Sequence, residues 1–305
     1  MPHKNNPIQE RLSVRFRRLL SGAPDGVPPW LEVVAAGDEA GLFTPDDAPW
    51  VVHADFGTLV GGVRALLVQA LHPATLAGVA DHSRYQQDAL GRLAGTIRWL
   101  TVTTFASRTA VETEANRVNR LHQRVEGEYK VSDAQTKAYR AADPDLLLWV
   151  HVAFMESFLT CHQLLCATPI PGGADAYVSQ WGRSVEPLGL AEVPRSVAEL
   201  DRLLESYDRQ GTLRCDERTI DVVRFIKNPP LPPAARVVYR LLFAAAVTSL
   251  RPSHRSLLGL RAAPAWLVLP LTRFVLRAIR FAIGPESPIE EAGKERLRRI
   301  GAWAG

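Results

Sequence analysis

The sequence predicts an all-α protein: a single multi-helix domain built around one buried central helix. Three observations carry that prediction. Apolar residues recur at three- and four-residue spacing through most of the chain, the period of one helix face. No run of alternating, β-branched residues reads as a convincing strand. And the segment AADPDLLLWVHVAFMESFLTCHQLL is apolar on every side from Leu146 to Leu159, the pattern of a helix with no solvent face.

The elements follow in order. Residues 1–44 read as a leader holding one short basic helix near Glu10–Leu20 and then Pro- and Gly-rich loops. Residues 45–260 form the main domain, and 261–305 add C-terminal helices packed on it. From Thr58 to Val79 the chain is nearly all apolar, but Pro73 must break or kink it, because proline lacks an N–H and disfavours helix in the residue before it. His72 is thereby aimed from a helix end. Asp88 is placed to cap a helix whose inner stripe is Leu90, Leu93, Ile97, Leu100 and Thr104. In the next helix Val111, Ala115, Val118, His122 and Val125 share one face, so an imidazole sits on an otherwise apolar stripe. Asp143 as cap and Pro144 at the first position open the central helix, which traps His151 and Glu156. Two or three amphipathic helices occupy 174–228. Pro229–Pro233 is a break, and helix resumes until a Pro/Glu-rich tail near Gly284–Glu291.

Composition narrows the function classes. The chain has 305 residues, 47% of them hydrophobic, with a net charge of +4 that reads as a mild excess spread along its length. No block of consecutive Lys/Arg and no basic–aromatic interleaving is present, which argues against nucleic acid as a partner. Cys161, Cys166 and Cys215 form no CxxC pair, against a disulfide framework or a thiolate zinc site and in favour of a cytoplasmic location. No signal peptide is expected from the N-terminal residues. Arg273, Arg277 and Arg280 are expected opposite Phe274, Ala278 and Phe281 on one helix, which leaves peripheral membrane contact open.

Chemistry-bearing motifs are sparse. No Glu-x-x-His pair, HExxH, GxSxG, P-loop or GxGxxG occurs. A buried imidazole needs a hydrogen bond or a metal, and what remains is a haem-type site, for which one axial histidine in an apolar helical pocket suffices. His122 fits by position, although a core histidine hydrogen-bonded to a backbone carbonyl is the better explanation at this level. Arg92 and Thr96, four apart, share a helix face beside Leu93 and could hold a propionate or polarise bound oxygen. His72 as a helix-end ring and His151 as a buried polar partner each have structural explanations too.

The runs QALHPATLAGVADHSRY, LGRLAGT, NRVNRLHQRVEG and DPDLLLWVH, in that order, resemble the oxygenase MpaB/latex-clearing-protein (rubber oxygenase) family over roughly residues 45–260. The resemblance implies a globin-like all-α fold, haem b, and oxygenation of C=C bonds with O₂. By motif it implies His122 as the proximal iron ligand and Arg92 and Thr96 as the distal pair; beside them Leu93 and His151 are candidate cofactor-binding residues and His72 a candidate catalytic residue. Rubber oxygenases carry a lysine immediately before the threonine; this chain has Gly95 there, so a lysine cap and polyisoprene as substrate are not implied. The acidic base of rubber oxygenases has no clear counterpart, with Gln69 and His72 nearest. The expected function is a haem-dependent oxygenase using O₂ or peroxide, with an unidentified electron donor and an apolar, unsaturated substrate. The alternatives are a non-catalytic haem or apolar-ligand carrier and a haem-free helical protein on a membrane surface.

Overall fold

The structure is a computed structural model that describes Arg18 and residues 27–82, 89–132, 135–284 and 287–305. It is predominantly α-helical. In chain order the helices are α1 (Leu31–Ala35), α2 (Ala48–Ala54), α3 (Gly57–Gln69), α4 (Pro73–His82), α5 (Ala89–Phe105), α6 (Arg108–His122), α7 (Pro144–Leu165) and α8 (Gly173–Trp181). A 3-10 segment, Gly182–Leu188, precedes α9 (Val197–Arg209), α10 (Glu217–Lys227), α11 (Pro233–Ser249), α12 (Pro252–Leu257), α13 (Ala265–Ile283) and α14 (Pro288–Arg299).

α7 is the axis of the fold. Its 22 residues span about 33 Å at 1.5 Å per residue. Asp143 at the N-cap and Pro144 at the first position start it as expected, and Cys166 in extended conformation ends it. Trp149, Val152, Ala153, Met155 and Phe158 are all buried, so more than one side of the helix is inside. α3 is its principal partner and meets α2 at a bend of 93°. α11 and α13 close a second apolar cluster around Val60, Cys161, Leu165 and Leu276. Trp30, Val34 and Phe43, ahead of α2, share the main core with Leu297 of α14. Among the described residues no single helix is long and apolar enough to cross a membrane.

Three expectations need correcting. The chain does contain a sheet, an antiparallel hairpin of β1 (Glu126–Ser132) and β2 (Gln135–Arg140) pairing Glu126 with Arg140 and Gly127 with Tyr139. Only Tyr139 along β2 is buried, against Ala74, Ala77 and Leu146. Val125 is not on the α6 stripe, because the helix ends at His122 and the chain turns into β1. The expected C-terminal tail is helical: Ser287 accepts a hydrogen bond from the Glu290 N–H and Pro288 takes the first turn, where its missing N–H costs nothing. The expected Asp88 cap and the helix near Glu10–Leu20 lie outside the described residues, Arg18 excepted.

Candidate active site

α5 and α6 form an antiparallel pair joined at Ser107, whose hydroxyl accepts from the Ala110 N–H to start α6. Arg98 Nε donates to Glu114 Oε2 at 2.9 Å across the pair, and Arg117 Nη2 reaches Glu114 Oε1 at 2.6 Å. Glu114 is buried, and these two arginines hold its carboxyl below the usual carboxylate range against the opposing effect of burial. The Arg98–Glu114 contact ties α5 to α6 near the middle of each helix.

His122 is half-buried, and its Nδ1 is shut off from water with no hydrogen-bond partner among the described residues. Burial lowers its pKa below the ordinary imidazole value, which keeps the ring neutral and a lone pair available. The stripe leading to it fades from Val111 and Ala115, both buried, to half-buried Val118. Ile97 packs on the main core, Thr96 is half-buried, and the side chains of Arg92 and Leu93 lie outside the described residues. Asn119 on α6 donates to the Pro187 carbonyl at 3.4 Å, tying this helix to the 3-10 segment.

His151 is buried and stacks on Trp181, ring centroids 6.3 Å apart and planes 22° apart. Burial first, then the Arg195 charge, pull its pKa to about 3. Its Nε2, the Trp181 Nε1 and the Ser184 hydroxyl are all buried without a hydrogen-bond partner among the described residues. Native interiors leave few such groups. Here they sit on α7, α8 and the 3-10 segment that α6 also contacts. His72 is elsewhere. It is buried between α3 and α4, 6.0 Å from the Trp149 ring and 6.3 Å from that of Tyr207, and its Nδ1 accepts from the Thr75 N–H at 3.4 Å. That is a helix-end role. Trp149 and His151, two apart on α7, point to opposite sides, so His72 and His151 are not brought together.

Gly95 is exposed, and a Cβ built there meets nothing within 4 Å. Nothing in its surroundings requires glycine. Gly95→Ala should therefore stabilise the protein by about 0.5–1 kcal/mol through helix propensity alone, read as a higher urea midpoint; a loss of stability would show that the bare backbone is needed there.

A second group of ligand-type atoms was not expected. Asp55, His162 and Cys166 place a carboxylate oxygen, a ring nitrogen and a sulfur within 4.8 Å of one another. They are bound into a local network: His162 Nε2 donates to the Thr168 carbonyl at 2.8 Å, Thr168 Oγ1 donates to Asp55 at 3.1 Å, and Arg280 approaches the same oxygen at 3.4 Å. Burial, then the Asp55 charge, push the Cys166 thiol well up, so it stays protonated. The sequence signal was HQLLC, which puts His162 and Cys166 four apart at the end of α7. Asp55 arrives only with the tertiary fold.

A family model described as "ER-bound oxygenase mpaB/B'/Rubber oxygenase, catalytic domain" matches residues 50–281. Neither a curated protein nor a solved structure matches the chain. The match takes in most of α2, all of α3 to α12 and nearly all of α13, the central helix and the α5–α6 pair included. The chain belongs to the mpaB/rubber oxygenase family of oxygenase catalytic domains.

Proposed function

We propose that this protein is a haem b-dependent oxygenase that acts on an apolar, unsaturated small molecule, with His122 as the iron ligand. The observation that carries the reading is the buried Nδ1 of His122 at the end of α6, an imidazole nitrogen with no hydrogen-bond partner among the described residues, on a ring that burial keeps neutral. Such an orphan fits a ligand role, since buried polar atoms without partners are costly. Haem, when bound, would supply the chemistry of O₂ or peroxide; an electron donor, where one is needed, comes from outside the chain. Arg92 and Thr96 on the facing helix α5 would position the oxygen source and stabilise negative charge developing on oxygen. Leu93 and Ile97, with the apolar wall of α7, would exclude water and receive the substrate. His151, held neutral, lies on the side of α7 that faces Trp181 and would border the cofactor there. His72, already engaged as a helix cap, would act by holding the α3–α4 corner in place.

The test is an absorption spectrum with iron analysis of protein expressed with haem supply, comparing the native chain with His122→Ala and His151→Leu. The native protein should show a Soret band. His122→Ala should lose or shift it, with unchanged far-ultraviolet circular dichroism, and His151→Leu should keep it. A colourless native protein, or an unaltered band in His122→Ala, removes His122 as the ligand. A haem-loaded protein that consumes no O₂ with a reductant and an apolar olefin would be a carrier.

A further inference from the structure

The excess positive charge is not spread along the chain. Between Val222 and Pro285 there are ten Arg/Lys and no Asp or Glu, which leaves the remainder of the chain net acidic. This acid-free stretch covers most of α10 and all of α11, α12 and α13. Within it, α13 has an unusual division of its surface. Val268, Thr272 and Leu276 are buried, and Val268 and Leu276 join the cluster around Val60 and Leu165. Turned away from the body are Leu267, Leu271, Phe274 and Phe281, spaced four, three and seven, so that they line one face. Trp266 stands at the edge of the same face.

Their exposure is extreme for such residues: 78% for Trp266, 69% for Phe274 and 82% for Phe281. Single exposed apolar residues are ordinary, but a continuous row of large ones marks an interaction surface. Arg273 and Arg277 run along one edge of the row, with Arg280 behind them, beside the aromatic residues and not opposite them as the spacing first suggested. Arg273 is fixed to the body by donating to the Leu164 carbonyl at 2.7 Å, and Arg280 by its contact with Asp55. On the neighbouring α11, Val237 is 70% exposed between exposed Arg236 and Arg240.

We propose that α13 is an interfacial helix that docks the protein on an anionic lipid surface, with Trp266, Leu267, Leu271 and Phe274 entering the headgroup boundary and Arg273 and Arg277 meeting lipid phosphates. Hydrophobic anchors on one face with cations at the rim are what an anionic bilayer recognises. A second copy of this chain fits less well. A two-fold interface sets the same patch against itself, and no carboxylate within the stretch is at hand to pair with the facing arginines. Docking here would also present the protein to an apolar substrate dissolved in the membrane. The surface itself needs neither cofactor nor turnover, so its test is independent of the haem assignment.

The full chain is floated with vesicles of phosphatidylcholine alone or with added phosphatidylglycerol, beside Trp266→Ser/Phe274→Ser and Arg277→Gln, with oligomeric state measured by light scattering. The native protein should bind the anionic vesicles, bind the neutral ones poorly, and be released by salt. The double substitution should lose more than about tenfold in binding by removing two large apolar anchors, and Arg277→Gln about fivefold by removing one charge. Unchanged thermal unfolding in the variants excludes misfolding as the cause. Absence of binding to anionic vesicles at low salt overturns the proposal, as does native-like binding by both variants. A native dimer that the double substitution turns into a monomer overturns it too, by showing that a second copy covers the face.

Discussion

Replacing Glu156 with alanine should destabilise the protein by about 3–5 kcal/mol, the cost of leaving a buried cation without its counter-ion. Arg64 on α3 is fully buried, and its guanidinium forks onto the Glu156 carboxylate on α7, Nη2 to Oε1 at 2.6 Å with Nη1 on the other oxygen. The same guanidinium donates to Ser157 Oγ at 2.8 Å and to the Ser249 carbonyl at the end of α11 at 3.2 Å. Arg251, the N-cap of α12, approaches Glu156 at 3.4 Å and also pairs with Asp201 on α9. Glu156 and Asp201 thus balance the charges of Arg64 and Arg251 where four helices and a cap meet. Burial acts to raise its pKa, but the Arg64 charge and hydrogen bonds outweigh that and keep it ionised. Urea unfolding followed by circular dichroism measures the loss. Glu156→Leu combined with Arg64→Met should recover most of it, because an apolar pair of similar volume has no charge to desolvate. A loss below about 0.5 kcal/mol for Glu156→Ala, the range of an ordinary surface change, would mean that water reaches Arg64.

What the sequence made legible follows what is local. The central helix was readable because its cap, its first-turn proline and its apolar run lie within 25 residues of each other. The break before α4 was readable from Pro73 alone. The hairpin was not, because a ribbon with Tyr139 as the buried residue of its second strand shows no alternation strong enough to count. The start of α14 was misread because a proline after a serine looks like a stop, although at the first turn it is a start. His122 does stand on the helix face that Val111 and Ala115 begin, but the stripe fades at Val118 and ends with the helix at His122. Glu156 was visibly trapped, whereas its partner Arg64 is 92 positions away and no spacing rule connects them. The same holds for Asp55 beside His162 and Cys166. Tertiary pairing of charged groups is set by how helices cross, which periodicity does not encode.

The protein should lose about 6 kcal/mol of stability between pH 7.5 and pH 5, through three buried histidines at about 2 kcal/mol each. Burial holds His53 and His151 at about 3 and His72 at about 4, against an unfolded value near 6.5. Below pH 6.5 the unfolded chain therefore takes up protons that the folded chain refuses, so stability is complete above that pH and falls as the solution is acidified toward the folded values. His53 shows why the fold refuses. Its Nδ1 is 2.9 Å from Thr104 Oγ1, whose own proton goes to the Leu100 carbonyl at 2.7 Å, so Nδ1–H must be the donor. Nε2 is then left to accept from the Tyr177 hydroxyl at 2.9 Å. Protonating Nε2 turns the Tyr177 hydroxyl from donor to acceptor and puts a positive charge inside a box of Phe158, Tyr177 and Trp181. The carboxylates that arginine holds low, Glu114 and Glu156, contribute only at more acid pH, so the window from pH 6.5 to 5 belongs to the histidines. Urea midpoints at pH 7.5, 6 and 5 read the effect, and His151→Leu should reduce the pH-dependent loss by about 2 kcal/mol, the share of that ring. A midpoint that stays level down to pH 5 would mean that these rings are charged, or free to become so, in the folded protein.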